Sequence, residues 1–250
     1  MKPVYLLELT HHSIFEQLQI EEALLRCDDR DIIVINHGST PAIVMGISGV
    51  MDELVHVDFA DNENIPVIRR FSGGGTVVVD NNTLFVSFLF HPKTLGISPY
   101  PESLLKWTEQ FYTPLFPNNF SLKAQDYALG EKKIGGNAQY FRKDRLLHHT
   151  TFLWDYDSTK MNCLKMPKKI PSYRLNRDHK DFVTTLKNHF SSTEQFIEHL
   201  KNRIKEVFEV KKFPQDEILE LLNKEHRRAT VFVREKGPAE RSLALAKPTF

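Results

Sequence analysis

An α+β domain, with a mixed and largely antiparallel sheet flanked by helices, is the fold expected of this chain. Strand-like runs of β-branched and aromatic residues outnumber helical periodicities along its 250 residues. Hairpin-like polar turns outnumber the long crossovers that parallel sheets require. The run Gly73-Gly74-Gly75 leads into a strand. A dinucleotide-binding fingerprint would open a helix instead, and a P-loop would continue into GK[ST].

The elements follow in order. Residues 4–9 read as a short strand. Residues 12–26 read as a helix whose apolar face carries Ile14, Leu18 and Leu25, with Gln17, Glu21 and Glu22 placed elsewhere. Asp31 opens the buried strand IIVIN, stopped by His37-Gly38-Ser39, and residues 42–45 form a second strand closed by Gly46. An Asn/Asp-rich loop at 61–64 precedes the glycine turn. Residues 76–79 and 83–90 read as strands joined in a tight hairpin by Asp80-Asn81-Asn82. The second of these is apolar on both faces, which predicts a central, doubly covered strand. Residues 101–112 form a helix with Leu104, Trp107 and Phe111 on one stripe, ended by Pro114 and Pro117. Residues 124–129, 133–138 and 146–154 are strand candidates. The basic, proline-punctuated stretch 160–177 reads as irregular, and 192–208 as an amphipathic helix. A short helix near 215–224, a strand at 229–234 and an exposed Pro/Lys end complete the chain.

Composition narrows the function classes. The chain is 41% hydrophobic and 26% charged, an ordinary globular balance large enough to need no disulfide or metal staple. Its formal net charge is +1, so no global attraction to nucleic acid or a membrane surface is expected. Two cysteines, Cys27 and Cys163, show no metal or redox spacing, and no metal ligand set is predicted. They fit a reduced, cytoplasmic compartment, with an organellar setting fitting equally well. The first residues lack the apolar run of a signal peptide, and no stretch approaches the ~20 apolar residues of a membrane span.

Three segments carry chemistry. In IRRFSGGGTVVVD, residues 68–80, the glycines offer a bare backbone whose N–H groups can line an anion-binding concavity. Arg70 adds a forked cation, and Ser72 a small donor and acceptor. A plain flexible turn with solvated arginines is the competing reading. In EKKIGGNAQ, residues 131–139, Lys133 stands beside two glycines that allow a ligand to approach closely, though a surface lysine at a hairpin tip is the blander reading. In LLHHTTFL, residues 146–153, His148 and His149 point to opposite faces of a strand and so cannot share a pocket.

In order and spacing, RRFSGGGTVVVD, KKIGGNAQ and LLHHTTFLW resemble the lipoate–protein ligase family. That family belongs to a wider superfamily with biotin ligases and octanoyltransferases. The resemblance runs from about residue 4 to residue 208. It implies a biotin/lipoate ligase catalytic-domain fold, like that of class II aminoacyl-tRNA synthetases. On this basis residues 1–210 form the catalytic domain, and 211–250 a C-terminal extension short of a full accessory domain. The implied activity is ATP-dependent conversion of lipoate or octanoate to an acyl-adenylate, then transfer to a lysine of a lipoyl-domain acceptor. Such acceptors are the E2 subunits of 2-oxoacid dehydrogenases and the glycine cleavage H protein; a separate accessory-domain protein is a further implied partner. ATP and Mg²⁺ are the implied cofactors, with lipoate as substrate. Arg70 and Lys133 match the catalytic cations. Ser72, Gly73, Gly74, Gly75, Thr76, Val77 and Val78 match the lining of the nucleotide and the lipoyl tail. Gly136, Asn137, Ala138, His149 and Thr151 match positions near the adenylate.

Val79 stands where the family pattern often has histidine. An ATP-independent octanoyl or lipoyl transferase needs a cysteine nucleophile near Lys133, and neither cysteine is placed there. A catalytically reduced adenylate transferase or binding relative is the other alternative. The lysines of 160–169, with Arg174 and Arg177, are expected either to steer an acidic acceptor or to form a plain solvated loop.

Overall fold

The computed structural model describes residues 3–117, 119–166 and 170–235. Its centre is an eight-stranded sheet. The strands are β1 (Val4–Thr10), β2 (Ile32–His37), β6 (Thr83–Phe90), β7 (Phe120–Lys123), β8 (Asp126–Leu129), β9 (Lys132–Arg142), β10 (Arg145–Leu153) and β11 (Val210–Lys212). They run in the order β11-β1-β2-β6-β10-β9-β8-β7. Only the β11–β1 and β1–β2 pairs are parallel. A second sheet holds β3 (Ala42–Met45), β4 (Val67–Arg69), β5 (Val77–Val79) and β12 (Val231–Arg234), ordered β12-β4-β3-β5. The expected mixed, largely antiparallel α+β fold is what the chain adopts.

Strand β6 explains the layering. Leu84, Val86, Phe88 and Phe90 enter a core closed by the helices Pro101–Tyr112 and Thr193–Val207. Phe85 and Leu89 enter the opposite core, shared with helix α1 (Ile14–Cys27) and with Ala42, Val44, Ile68 and Val79 of the small sheet. A third cluster on the far side of the small sheet includes Ile43, Met45, Val67 and Val78. A strand covered on both sides needs apolar residues at every position, which is the pattern read from the sequence.

Four expectations need correction. The turn Asp80–Asn82 does not close a hairpin: β5 pairs with β3, whereas β6 pairs with β2 and β10. The turn chemistry was legible, since the Asp80 carboxylate accepts from Asn82 N–H at 2.9 Å. The chain nevertheless uses that turn to step from one sheet to the other. Gln17, Glu21 and Glu22 of α1 are all buried, because α1 is wedged between the large sheet and the C-terminal segment. The short helix Val57–Asn62 runs into the stretch 61–64 that was expected to be a loop, while β4, β7 and the short helix Met51–Leu54 fill stretches to which no element was assigned. Finally, the stretch 160–177, expected to be irregular, opens on the end of a helical turn at Ser158–Met161 and contains a further single turn at Ser172–Arg174. Lys168, Lys169 and the Pro/Lys end lie outside the described residues.

The start of α1 follows from its sequence. Ser13 and Glu16 form a capping box, with the Ser13 hydroxyl accepting from Glu16 N–H and the Glu16 carboxylate accepting from Ser13 N–H at 3.0 Å.

Candidate active site

A cavity of about 710 Å³ lies between the large sheet and the wall made by α1, the small sheet and the glycine turn. Its floor is the β9–β10 pair, where His149 faces Ala138 and Thr151 faces Gly136 across the ladder. Alternation along β10 brings His149, Thr151 and Leu153 to the cavity. The same alternation along β9 presents Gly136 and Ala138 but would turn Lys133 away. A bulge prevents this. Tyr127 of β8 pairs with Gly135, and the next residue, Ala128, pairs with Lys133. Ile134 is thereby the extra residue; it drops into the opposite core, and Lys133 is re-aimed into the cavity.

Lys133 is held at both its backbone and its ammonium. Its carbonyl accepts from Thr184 N–H at 2.8 Å. Its ammonium pairs with the Asp126 carboxylate at 2.6 Å. The other Asp126 oxygen accepts from the Tyr173 hydroxyl at 2.9 Å. Asp126 was missed from the sequence, although a signal existed. It sits two residues before Ala128 on a strand that hairpins back through Gly130, which makes it a diagonal neighbour of Lys133.

The glycine turn forms the facing wall. Arg70 is buried, and its guanidinium is occupied by the protein itself. Nε donates to Ser72 Oγ at 3.1 Å; Nη2 donates to the carbonyls of Gly73 and Gly75 at 2.7 and 2.8 Å. Burial lowers its pKa to about 10, so it remains charged at neutral pH. Arg70 therefore shapes the turn, and its charge acts through the carbonyls it binds. Among the described residues no backbone carbonyl accepts from the N–H groups of Gly73, Gly74 or Gly75. Gly74 has φ +100° and packs against Arg70, whereas a Cβ on Gly75 would meet nothing within 4 Å. The tight approach of residue 46 to this turn also demands glycine: a Cβ there would lie 2.4 Å from the Gly74 carbonyl oxygen.

Most residues singled out in the sequence therefore meet around one space. Arg70, Gly74, Gly75, Thr76, Val77 and Val78 line it from the turn side. Lys133, Gly136, Asn137, Ala138, His149 and Thr151 line it from the sheet. Ser72 is fully buried behind the turn, and Gly73 lies away from the lining. The amide of Asn137 donates to the Gln125 carbonyl. Val79 contributes apolar wall. Neither cysteine lines the space, and burial pushes the Cys163 thiol up to about 11. The two arginines of the basic stretch turn inward: Arg174 packs over Phe182, and Arg177 donates to the Tyr173 carbonyl.

The cavity has two kinds of end. Lys133, Asp126 and Asn137 make one end polar, while Ile14, Leu18, Val79 and Phe85 make the other apolar. The Lys133 ammonium reaches back to 3.5 Å from where a Cβ on Gly136 would lie, and Gly136 pairs with Thr151, two residues along β10 from His149. At the apolar end His149 bonds through Nε2 to the fully buried carboxylate of Glu21, and its Nδ1 lies 3.3 Å from Ser72 Oγ. Burial raises the Glu21 pKa, but the charge and hydrogen bond of His149, with hydrogen bonds from Ser87 and Gln17, outweigh this and hold it below the usual value. No group of three His, Cys, Asp or Glu among the described residues is placed to hold a metal ion. A Mg²⁺ ion would therefore not find an all-protein cage among the described residues. No helix among the described residues is long and apolar enough to cross a membrane.

An α+β domain with a cavity both cationic and apolar, walled by a glycine turn, is the frame on which relatives can be compared. The family model of the lipoyl protein ligase A/B catalytic domain matches residues 13–209, and the chain belongs to that family. It is 25% identical over 271 residues to a Plasmodium falciparum protein named inactive lipoate–protein ligase 2, covering 83% of this chain and 71% of that one. Its fold matches a crystal structure of lipoate-protein ligase A bound with ATP, with TM-score 0.70 and 21% identity over 90% of this chain and 96% of the other. It also matches a bi-partite lipoate protein ligase from Thermoplasma acidophilum, described with its E2 lipoyl domain. That match has TM-score 0.71 and 20% identity, covering 90% and 94% of the two chains.

Proposed function

We propose that this chain is a lipoate–protein ligase. It joins lipoate or octanoate to ATP as an acyl-adenylate and passes the acyl group to a lysine of a lipoyl-domain protein. The observation that carries this reading is the convergence of Lys133 with Gly74 and Gly75, whose amides meet no backbone carbonyl among the described residues, on a cavity that continues into an apolar arm. A carboxylate attacking an α-phosphorus brings two anions together. Lys133 and the turn amides offset that repulsion where water is excluded, and pyrophosphate leaves. In the second step the acceptor amine attacks the acyl carbonyl and AMP leaves, with Lys133 stabilising the developing charge. The apolar arm takes the fatty tail. An ATP-bound relative and a relative described with an E2 lipoyl domain support the two substrates. Arg174 and Arg177 are engaged internally, Lys160 pairs with Asp80 and Lys165 donates to the Asp52 carbonyl, which does not favour steering of an acidic acceptor by these four residues.

The test is acyl addition to a lipoyl domain, followed by mass, with and without ATP. Wild type modifies the domain only with ATP, and Lys133→Ala lowers the rate by about a hundredfold or more. Modification without ATP would favour the thiol route. Cys27→Ala/Cys163→Ala retains full activity in the same assay, because neither thiol reaches the cavity. A second reading, transfer from a preformed adenylate without the ATP step, draws on the inactive Plasmodium relative and on Val79. Pyrophosphate release by wild type excludes it.

A further inference from the structure

Glu21 is a fully buried carboxylate that the reaction above does not use. Replacing a buried ion pair by apolar residues is often neutral or stabilising, so stability alone does not account for it. Its surroundings give it a place in a chain of contacts. Gln17 donates to it at 2.8 Å and accepts from Asn36 at 2.9 Å, which fixes the carboxylate from the α1 side. On the other side His149 connects it to Ser72, Ser72 accepts from Arg70 Nε, and Arg70 grips the Gly73 and Gly75 carbonyls.

Glu21–His149–Ser72 has the composition of a hydrolytic triad, but Ser72 is fully buried and off the cavity wall. A nucleophile there meets no substrate. Within this chain of contacts Gln17, His149, Arg70 and Gly75 line the cavity, whereas Glu21 and Ser72 do not. His149 and Arg70 are thus joined through Ser72, which is off the cavity wall, and Glu21 holds His149 from behind.

We propose that Glu21 and Ser72 are positioning residues that couple the two halves of the cavity, so that an acyl chain seated against His149 sets the glycine turn for the nucleotide. This deepens the two-substrate reading above and rests on it. The hydroxyl of Ser72 supplies the switchable element. When His149 Nδ1 is bare, it accepts the Ser72 proton. When Nδ1 carries a proton, it donates, and the Ser72 O–H must turn elsewhere. Arg70 Nε donates to Ser72 in both arrangements. A ligand that shifts the ring therefore acts on Ser72, then on Arg70 and the carbonyls of Gly73 and Gly75. The Glu21 carboxylate, locked by Gln17, gives the ring a fixed anchor about which to move.

The test is calorimetric binding of the α,β-methylene analogue of ATP with and without saturating octanoate. In wild type octanoate tightens the analogue by about fivefold or more, the lower range of ordinary coupling between sites. Glu21→Gln keeps shape and removes charge. Ser72→Ala cuts the contact in the middle while leaving the ion pair intact, and it decides the matter if Glu21→Gln fails to fold. Both reduce the tightening to less than about twofold while still binding each ligand alone. A residue that only supports the fold would weaken single-ligand binding or melting temperature and leave the ratio unchanged. Full tightening in both variants, or none in a wild type that binds both ligands, overturns this proposal alone. A wild type that binds neither ligand overturns the ligase reading with it.

Discussion

Gly74 and Gly75 are neighbours with opposite requirements. An added Cβ at Gly74 would lie 2.7 Å from Arg70 Nη2, on a backbone with φ +100° that side chains rarely adopt. Gly74→Ala is expected to destabilise the protein by about 1–3 kcal/mol. Gly75 has neither constraint, since a Cβ there meets nothing within 4 Å. Gly75→Ala should melt like wild type, within about 0.5 kcal/mol, yet its methyl enters the space opposite Lys133 and slows acyl transfer about tenfold. Melting curves set beside initial rates separate the two. A loss of stability in Gly75→Ala would mean that the turn is packed against protein rather than facing a ligand. Read from the sequence, the three glycines looked equivalent. Only the contacts of Arg70 with the carbonyls on either side show which glycine is structural and which is open.

At the scale of single elements, legibility depended on whether a signal was local. Strands β3 and β6 and the helix Pro101–Tyr112 have the bounds expected of them, because their apolar patterns and stop signals lie within themselves. Strand β4 was missed: three residues are too few to show a period, and β4 is a strand because β3 and β12 pair with it. The Ile134 bulge was hidden for a related reason. Strict alternation would place Lys133 on the wrong face, and only its pairing with β8 reveals the extra residue. Strand β12 carries a prediction of its own. It covers the free edge of β4, the strand that leads into Arg70. It is fastened by stacking of Phe232 on Phe15 at 4.0 Å and by Glu22, which accepts from Ala229 and Thr230 N–H at 3.0 Å. Removing residues 229–250 should lower the melting temperature by about 5 °C and expose a sheet edge prone to self-association. An unchanged melting temperature and a monomeric elution profile would show that β12 contributes nothing to the sheet.

For the whole molecule, the order of layers could not be read from single segments, because β5 and β6 adjoin in sequence yet belong to different sheets. The convergence of the candidate site was legible, since its three motifs bring their own residue types to one cavity. Its polar support was not, because Glu21 and Asp126 act through partners distant in sequence. The same layering sets how the protein responds to acid. His148 and His149 are adjacent on β10 and face opposite cores. His148 is fully buried and neutral: Nδ1 accepts from Gln139, and Nε2 donates to the Tyr127 hydroxyl at 2.8 Å, which donates to Thr108 at 2.6 Å. Burial first, and the neighbouring His149 second, lower its pKa from 6.5 to about 3. A base with a depressed folded pKa is protonated first in the unfolded chain. Its contribution is therefore complete above about 6.5 and is lost as pH falls toward 3. Glu21, whose pKa is held below 4.5, acts in the same direction lower down, contributing fully above 4.5 and losing that contribution as pH falls further. Stability should decline from pH 6.5, by about 3 kcal/mol at pH 4.5 from His148 alone, and more steeply below that. Denaturant titrations at intervals from pH 7 to 4 measure the decline. In His148→Gln, which keeps a polar side chain but does not titrate, the upper part of the decline shrinks to what His37, whose pKa burial also lowers, contributes, while the part below pH 4.5 persists. A wild-type profile flat between 6.5 and 4.5 would show that water reaches His148 and that the helix-side core is not sealed.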